Sequence, residues 1–225
     1  AGNFDHVQFE KDADFSETVF LSEASFRSAR FGGATVDFSG AKFCGDAHFD
    51  GAVFASETTF FSRGNFCGAA NFAGASFQGE TANFTSTQFA MKADFHEAMF
   101  SGLGAYFTEA VFGGARADFS DCVFGARTSA FKWARFDCDS DFTQATFMGE
   151  ETNFQGATFS CGMARFERSR FRSQKTLFVN CRFSGRGCSF GGATFEGESA
   201  IFLGADFAGE RAIFSGVSFL SRQAL

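Results

Sequence analysis

Phenylalanine recurs in pairs five residues apart along this 225-residue chain: Phe4/Phe9, Phe15/Phe20, Phe26/Phe31, Phe38/Phe43, Phe49/Phe54, Phe61/Phe66, and so on to Phe202/Phe207 and Phe214/Phe219. Nineteen such pairs take up all but one of the 39 Phe, leaving Phe60 over. From one first member to the next the step is either eleven (six times, as from Phe4 to Phe15) or twelve (twelve times, as from Phe26 to Phe38). A period held from end to end is the signature of a solenoid, whose repeats bury their apolar faces only against one another. Spacings of five, then six or seven, cannot keep the rings on one 3.6-residue stripe, so an amphipathic helix is excluded.

A second rule operates inside each unit. The residue two before each Phe is nearly always small, as at Ala13, Ala24, Ala41, Cys122 and Cys181, and positions i−2 and i share one face of an extended strand. The residues between them, such as Asp14, Asp37, Asn71, Asn83, Asp94 and Asp118, are mostly polar and must face outward. Gly favours the position two after Phe, as at Gly40, Gly51, Gly74 and Gly156, and again at Gly33, Gly45, Gly68, Gly79, Gly102, Gly114 and Gly149. Those sites read as corners in left-handed conformations, which cost glycine little. No composition shift or linker breaks the pattern, so residues 1–225 read as a single solenoid domain with no evident caps.

The unit small-x-Phe-x-x, as in Ala41-Lys42-Phe43-Cys44-Gly45 or Ala93-Asp94-Phe95-His96-Glu97, resembles the Phe-rich branch of the pentapeptide-repeat proteins. The resemblance implies an all-β, right-handed parallel β-helix of quadrilateral section, with one pentapeptide per side. This chain departs from the strict pattern by adding one or two residues after every second pentapeptide. The coil could therefore close after one 11- or 12-residue unit or after two. From Phe26 to Phe107 the intervals alternate 12 and 11, and from Phe142 onward they hold at 12, which favours a two-unit coil of about 23–24 residues. Nine or ten such coils would make a rod of ~45 Å.

Two pairs of cysteines, Cys44 with Cys67 and Cys138 with Cys161, lie twenty-three positions apart at equivalent places just after Phe. In a two-unit coil each pair stacks at outward corners on adjacent turns. The ~4.8 Å strand spacing falls inside the Cα separation of about 4.4–6.8 Å that a disulfide tolerates. Two disulfides in an oxidising compartment and four thiols in a reducing one both remain open. Cys122, Cys181 and Cys188 take small inward positions, where a thiol is a compact apolar group.

Phosphate loops, dinucleotide fingerprints and nucleophile elbows are absent from the sequence, so no catalytic, cofactor or metal residue is assigned. His6, His48 and His96 occupy different units and columns and do not converge. Mixed outward columns such as Gln8, Val19, Arg30, Lys42 and Val53 exclude a regular ice-binding array. Apolar stretches are too short and too interrupted for a membrane span. If Ala1 is a mature N-terminus, a secreted or cell-surface location is favoured; otherwise the expectation is cytoplasmic.

Charge is unevenly placed along a chain of net charge −7: residues 1–60 hold ten acidic and four basic groups. Arg165, Arg168, Arg170, Arg172, Lys175, Arg182 and Arg186 form a basic belt with Glu167 as the only acid between them. Without an aromatic platform or nucleic-acid motif, the belt points to an oriented protein contact and not to nucleic acid. Leu177 and Val179 flank Phe178, and Ile201 and Leu203 flank Phe202 two units on, an apolar cluster on one outer face. Phe60, Tyr106 and Trp133 read as isolated outward aromatics.

These features describe a non-enzymatic, self-assembling solenoid, a rod or filament subunit joined end to end through tiers that include Phe4 and Phe219, or laterally through the aliphatic cluster. The family resemblance offers an alternative, an acidic DNA mimic that binds a type II topoisomerase or another protein. Such members resemble one another in a C-terminal dimerising helix, for which Ser215 to Leu225 is too short.

Overall fold

The computed structural model describes residues 2–224, and every regular element in it is a strand of two or three residues. Strands so short follow from the repeat: a small inward residue, an outward residue and an inward Phe, then a corner. The strands stack into four parallel sheets that form four faces. Face one runs from Gly2–Asn3 to Ala212–Ile213, face two from Gln8–Phe9 to Ser218–Phe219, and face three from Ala13–Asp14 to Gln223–Ala224. Each of these has ten strands, whereas face four, Val19–Phe20 to Arg182–Phe183, has eight and continues as a single bridge from Arg182 to Asp206.

Register settles the coil. On face one Gly2 pairs with Ala24, Ala24 with Ala47, Ala47 with Ala70 and Ala70 with Ala93, so a turn spans twenty-two or twenty-three positions here. It lengthens to twenty-four from Ala164 to Cys188 and from Cys188 to Ala212. The two-unit coil is the observed one, and each turn carries four inward Phe.

Those rings form four continuous ladders. Along a ladder they lie nearly parallel, with Phe26 to Phe49 at 4.9 Å and 1° and Phe31 to Phe54 at 4.9 Å and 0°. Faces one and three meet edge-to-face on the axis, as Phe26 does with Phe38 at 5.4 Å and 85°. The ladder rings from Phe26 through Phe195 are solvent-excluded, with the small i−2 residues interleaved between them.

Corners come in two kinds. After faces one and three the Phe carbonyl accepts the N–H three residues on, as Phe38 does from Ala41 at 3.0 Å, and the residue two after Phe is left-handed. Gly51 (φ 65°) takes this position, but so do twelve non-glycines, among them Arg63 (φ 57°) and Trp133 (φ 54°). After faces two and four the expectation of left-handed glycine holds only in part, since Gly45, Gly68, Gly79 and Gly114 have ordinary φ. Glycine serves there because the coils approach too closely for a side chain: a Cβ on Gly79 would run into the Ser56 carbonyl.

A ring removed from the middle of a ladder leaves a hole that both neighbours line. Phe95→Ala, at a site with 0% exposure, is expected to destabilise by about 3–5 kcal/mol. Phe219→Ala, on a ring 44% exposed, should cost much less, and urea unfolding midpoints of the two variants check the ratio.

Candidate interaction surfaces

Because the interior is filled with rings, any site lies on the four faces, the corners or the end tiers. Among the described residues no three His, Cys, Asp or Glu gather in a way that could hold a metal ion, and no helix is long and apolar enough to cross a membrane.

Face three carries the outward aromatics and the aliphatic cluster. One outward column runs in register through Phe60, Asn83, Tyr106, Ala130, Asn153, Leu177 and Ile201. Phe60 and Tyr106 share this column with two members of the aliphatic cluster, but Asn83 lies between the two aromatics, and Ala130 and Asn153 separate Tyr106 from Leu177. Sequence distance concealed this, and the period of the coil would have shown it. Leu177, Val179 and Ile201 are half-buried, while Leu203 is 69% exposed. On the following corner the Trp133 indole covers Gly156 of the next coil, and the Lys132 ammonium sits 4.9 Å from its ring.

Face one carries the acidic column. Asp94, Asp118 and Asp141 stack in register, and Arg116 donates to both Asp118 (2.9 Å) and Asp141 (2.8 Å). Arg165 continues the column above them.

The basic belt encircles the rod. Arg165 and Arg168 lie on face one and its corner, Arg170 and Arg172 along face two, Lys175 on face three, and Arg182 on face four. Its isolation in the sequence is not kept in space. Asp139 takes Arg186 at 3.0 Å and Arg165 at 4.0 Å, Glu196 takes Arg172 at 3.0 Å, and Asp206 takes Arg182 at 3.6 Å. Arg168, Arg170 and Lys175 make no ion pair among the described residues. Arg165 and Arg168 border an open notch of about 500 Å³, left where Gly191 and Gly192 lack side chains.

All seven cysteines are free thiols, and one differs from expectation: Cys138 is turned inward, 5% exposed, while Cys161 beside it is exposed. Packing at this corner carries Cys138 into the apolar core, and burial pushes its thiol up to about 12. Burial does the same for Cys181 and Cys188, each to about 12, and raises Cys122 as well. Cys122 and Cys181 donate S–H to the carbonyls of Phe95 and Phe154, both at 2.8 Å.

At the ends of the described solenoid the rings meet solvent. Phe4, Phe9, Phe15 and Phe20 are half-buried, and Phe214 and Phe219 are 39% and 44% exposed.

The sequence profile of the family described as pentapeptide repeats (9 copies) matches residues 4–43 and 15–62, on the same small-x-Phe unit that builds the four ladders. Over residues 4–62 the chain carries pentapeptide repeats. No curated protein matches it. Among solved structures it is similar to HetL, a pentapeptide repeat protein involved in heterocyst differentiation regulation from the cyanobacterium Nostoc sp. strain PCC 7120. That match has 16% identity over 96% of this chain and 88% of that one, with a TM-score of 0.37.

The thiols and the carboxyls of this solenoid should respond unevenly to reagents and to pH. With reductant removed at pH 8, iodoacetamide should label Cys44, Cys67 and Cys161, and should reach Cys122, Cys138, Cys181 and Cys188 only in denaturant, as peptide mass spectrometry would show. Several carboxyls are held below their usual range: Asp5 by the Ser25 hydroxyl and the Arg27 N–H, and Asp12 by the Thr35 and Ala34 N–H groups. Burial alone would raise Asp139, but the Met163 N–H, Arg165 and Arg186 outweigh it. A folded-state pKa below the unfolded 3.8 adds stability above that pH and loses it as pH falls through the lowered value. Urea midpoints should therefore hold steady down to about pH 5 and drop between about pH 4 and pH 2.

Proposed function

We propose that this chain is a non-enzymatic structural solenoid, acting as one unit over residues 1–225, that associates head to tail with further copies of itself. What supports the reading is that one hydrogen-bond pattern joins coil to coil and that acids and bases are divided unequally along the chain. On faces one to three successive coils bond in one pattern, as Phe26 N–H does to His48 C=O at 2.7 Å and Val53 N–H to Ala29 C=O at 2.9 Å. In such an association the edge of a coil in one copy would offer the groups that a coil of another copy requires. Such a heterologous contact repeats without closing and builds a rod.

Half-exposed rings on both end tiers would continue the ladders, removing apolar surface from water at about 25 cal/mol per Å². Charge aligns the copies: residues 1–60 hold ten acids and four bases, whereas residues 161–225 hold five acids and nine bases. This supports head-to-tail order and opposes head-to-head.

Sedimentation velocity at rising protein concentration tests the proposal. Oligomers should grow with concentration and shrink as salt screens the end charges. The pair Phe4→Lys and Phe219→Lys should hold the protein monomeric while leaving its circular dichroism intact. A wild-type chain that stays monomeric at millimolar concentration and low salt would overturn it.

The stacked Asp94, Asp118 and Asp141 favour a second reading, an acidic surface that mimics DNA for a type II topoisomerase. Arg116 on that column and Arg165 above it oppose this reading. Unchanged gyrase supercoiling at micromolar protein would remove it.

A further inference from the structure

We infer that Cys44 and Cys67 are a thiol–disulfide modification site that staples two adjacent coils on face four, and that Cys138 and Cys161 are not. The two thiols occupy the same column. Cys44 N–H donates to Phe20 C=O at 2.9 Å, Cys67 N–H donates to Phe43 C=O at 2.8 Å, and the preceding residues Phe43 and Phe66 are directly paired. The rings of Phe43 and Phe66 stack at 4.6 Å, so the adjoining backbones are one strand spacing apart. That spacing of ~4.8 Å lies within the Cα separation of about 4.4–6.8 Å for disulfides.

Closing the bond also draws the Cβ atoms to about 3.8 Å. Both residues sit one position past their strands, in bends, and each precedes a glycine, Gly45 or Gly68. Their N–H groups keep the inter-coil bonds, and the adjustment falls to the side chains and to the glycine-containing bends that follow. Cys44 is exposed and Cys67 partly so, which lets a small oxidant reach the pair. At the second pair only Cys161 is exposed; Cys138 is packed in the core and its thiol stays protonated.

The chemistry needs a small-molecule disulfide. The Cys44 thiolate attacks one of its sulfurs, forming a mixed disulfide and releasing one thiol. The Cys67 thiolate then attacks the Cys44 sulfur, breaking the mixed bond and releasing the second thiol. Two protons leave the protein thiols and two electrons pass to the oxidant.

The test equilibrates the folded chain with oxidised glutathione, quenches with acid and maps the peptides without reduction. The expected products are an intramolecular Cys44–Cys67 link and glutathione on Cys161. In Cys67→Ser, glutathione should accumulate on Cys44, with an occupancy at least about tenfold above wild type, because the resolving thiol is gone. Glutathione retained on both Cys44 and Cys67 in the wild type, equal occupancy in the two proteins, or Cys44 linked to another molecule would each overturn the inference.

Discussion

The structure depends on the match between the spacing of parallel strands and the thickness of a benzyl ring. Strands in a sheet lie ~4.8 Å apart, and rings attached at one register position must repeat at that interval. Observed centroid separations along the ladders stay close to it, from 4.6 Å at Phe43–Phe66 to 5.3 Å at Phe190–Phe214. An aromatic side chain is stable at this distance when its face meets the next ring with some offset, and its edge is left to meet the ladder opposite. The chain uses both contacts: near-parallel rings along each ladder, and edge-to-face rings across the axis, as at Phe61 and Phe72 (89°).

Packing of this kind constrains everything around it. The rings leave room for a compact group two residues before each Phe, mostly Ala, Cys, Ser or Thr, with exceptions such as Gly2, Gly64 and Val36. At some of these positions a donor finds a backbone carbonyl: Thr87 bonds Phe61 and Ser169 bonds Phe142, both at 2.7 Å, as the thiols of Cys122 and Cys181 do elsewhere. Ser129 and Ser140, equally buried, find no partner. With the interior closed to ligands, recognition is left to the outer columns and the end tiers, where spacing along the axis is set by the same ladder.

The repeat made the architecture legible. Alternation of the shorter and longer Phe intervals named the two-unit coil, and the coil in turn placed Leu177 beside Ile201 and Cys44 beside Cys67, as the register shows. Side-chain direction at corners was less accessible. Cys138 and Cys161 occupy equivalent sequence positions, yet one is core and the other solvent, because a corner residue has no alternation rule to fix its direction. Ion pairs were hidden for another reason. Arg186 reaches Asp139, which is 47 residues away and so about two coils back, and no local count of charges along the belt reveals that partner.

The sequence by itself determined which residues face inward, how many form a turn, and where the small and aromatic groups alternate, because strand periodicity and a fixed repeat admit one arrangement of the rings. Only the tertiary structure decided how the outer surface is composed: which acids neutralise the basic belt, that Phe60 and Tyr106 share a column with the aliphatic cluster, and which thiols remain accessible. Those properties arise between coils, through side chains that meet across a strand spacing, and their partners are set by the register and the corner geometry of the closed solenoid.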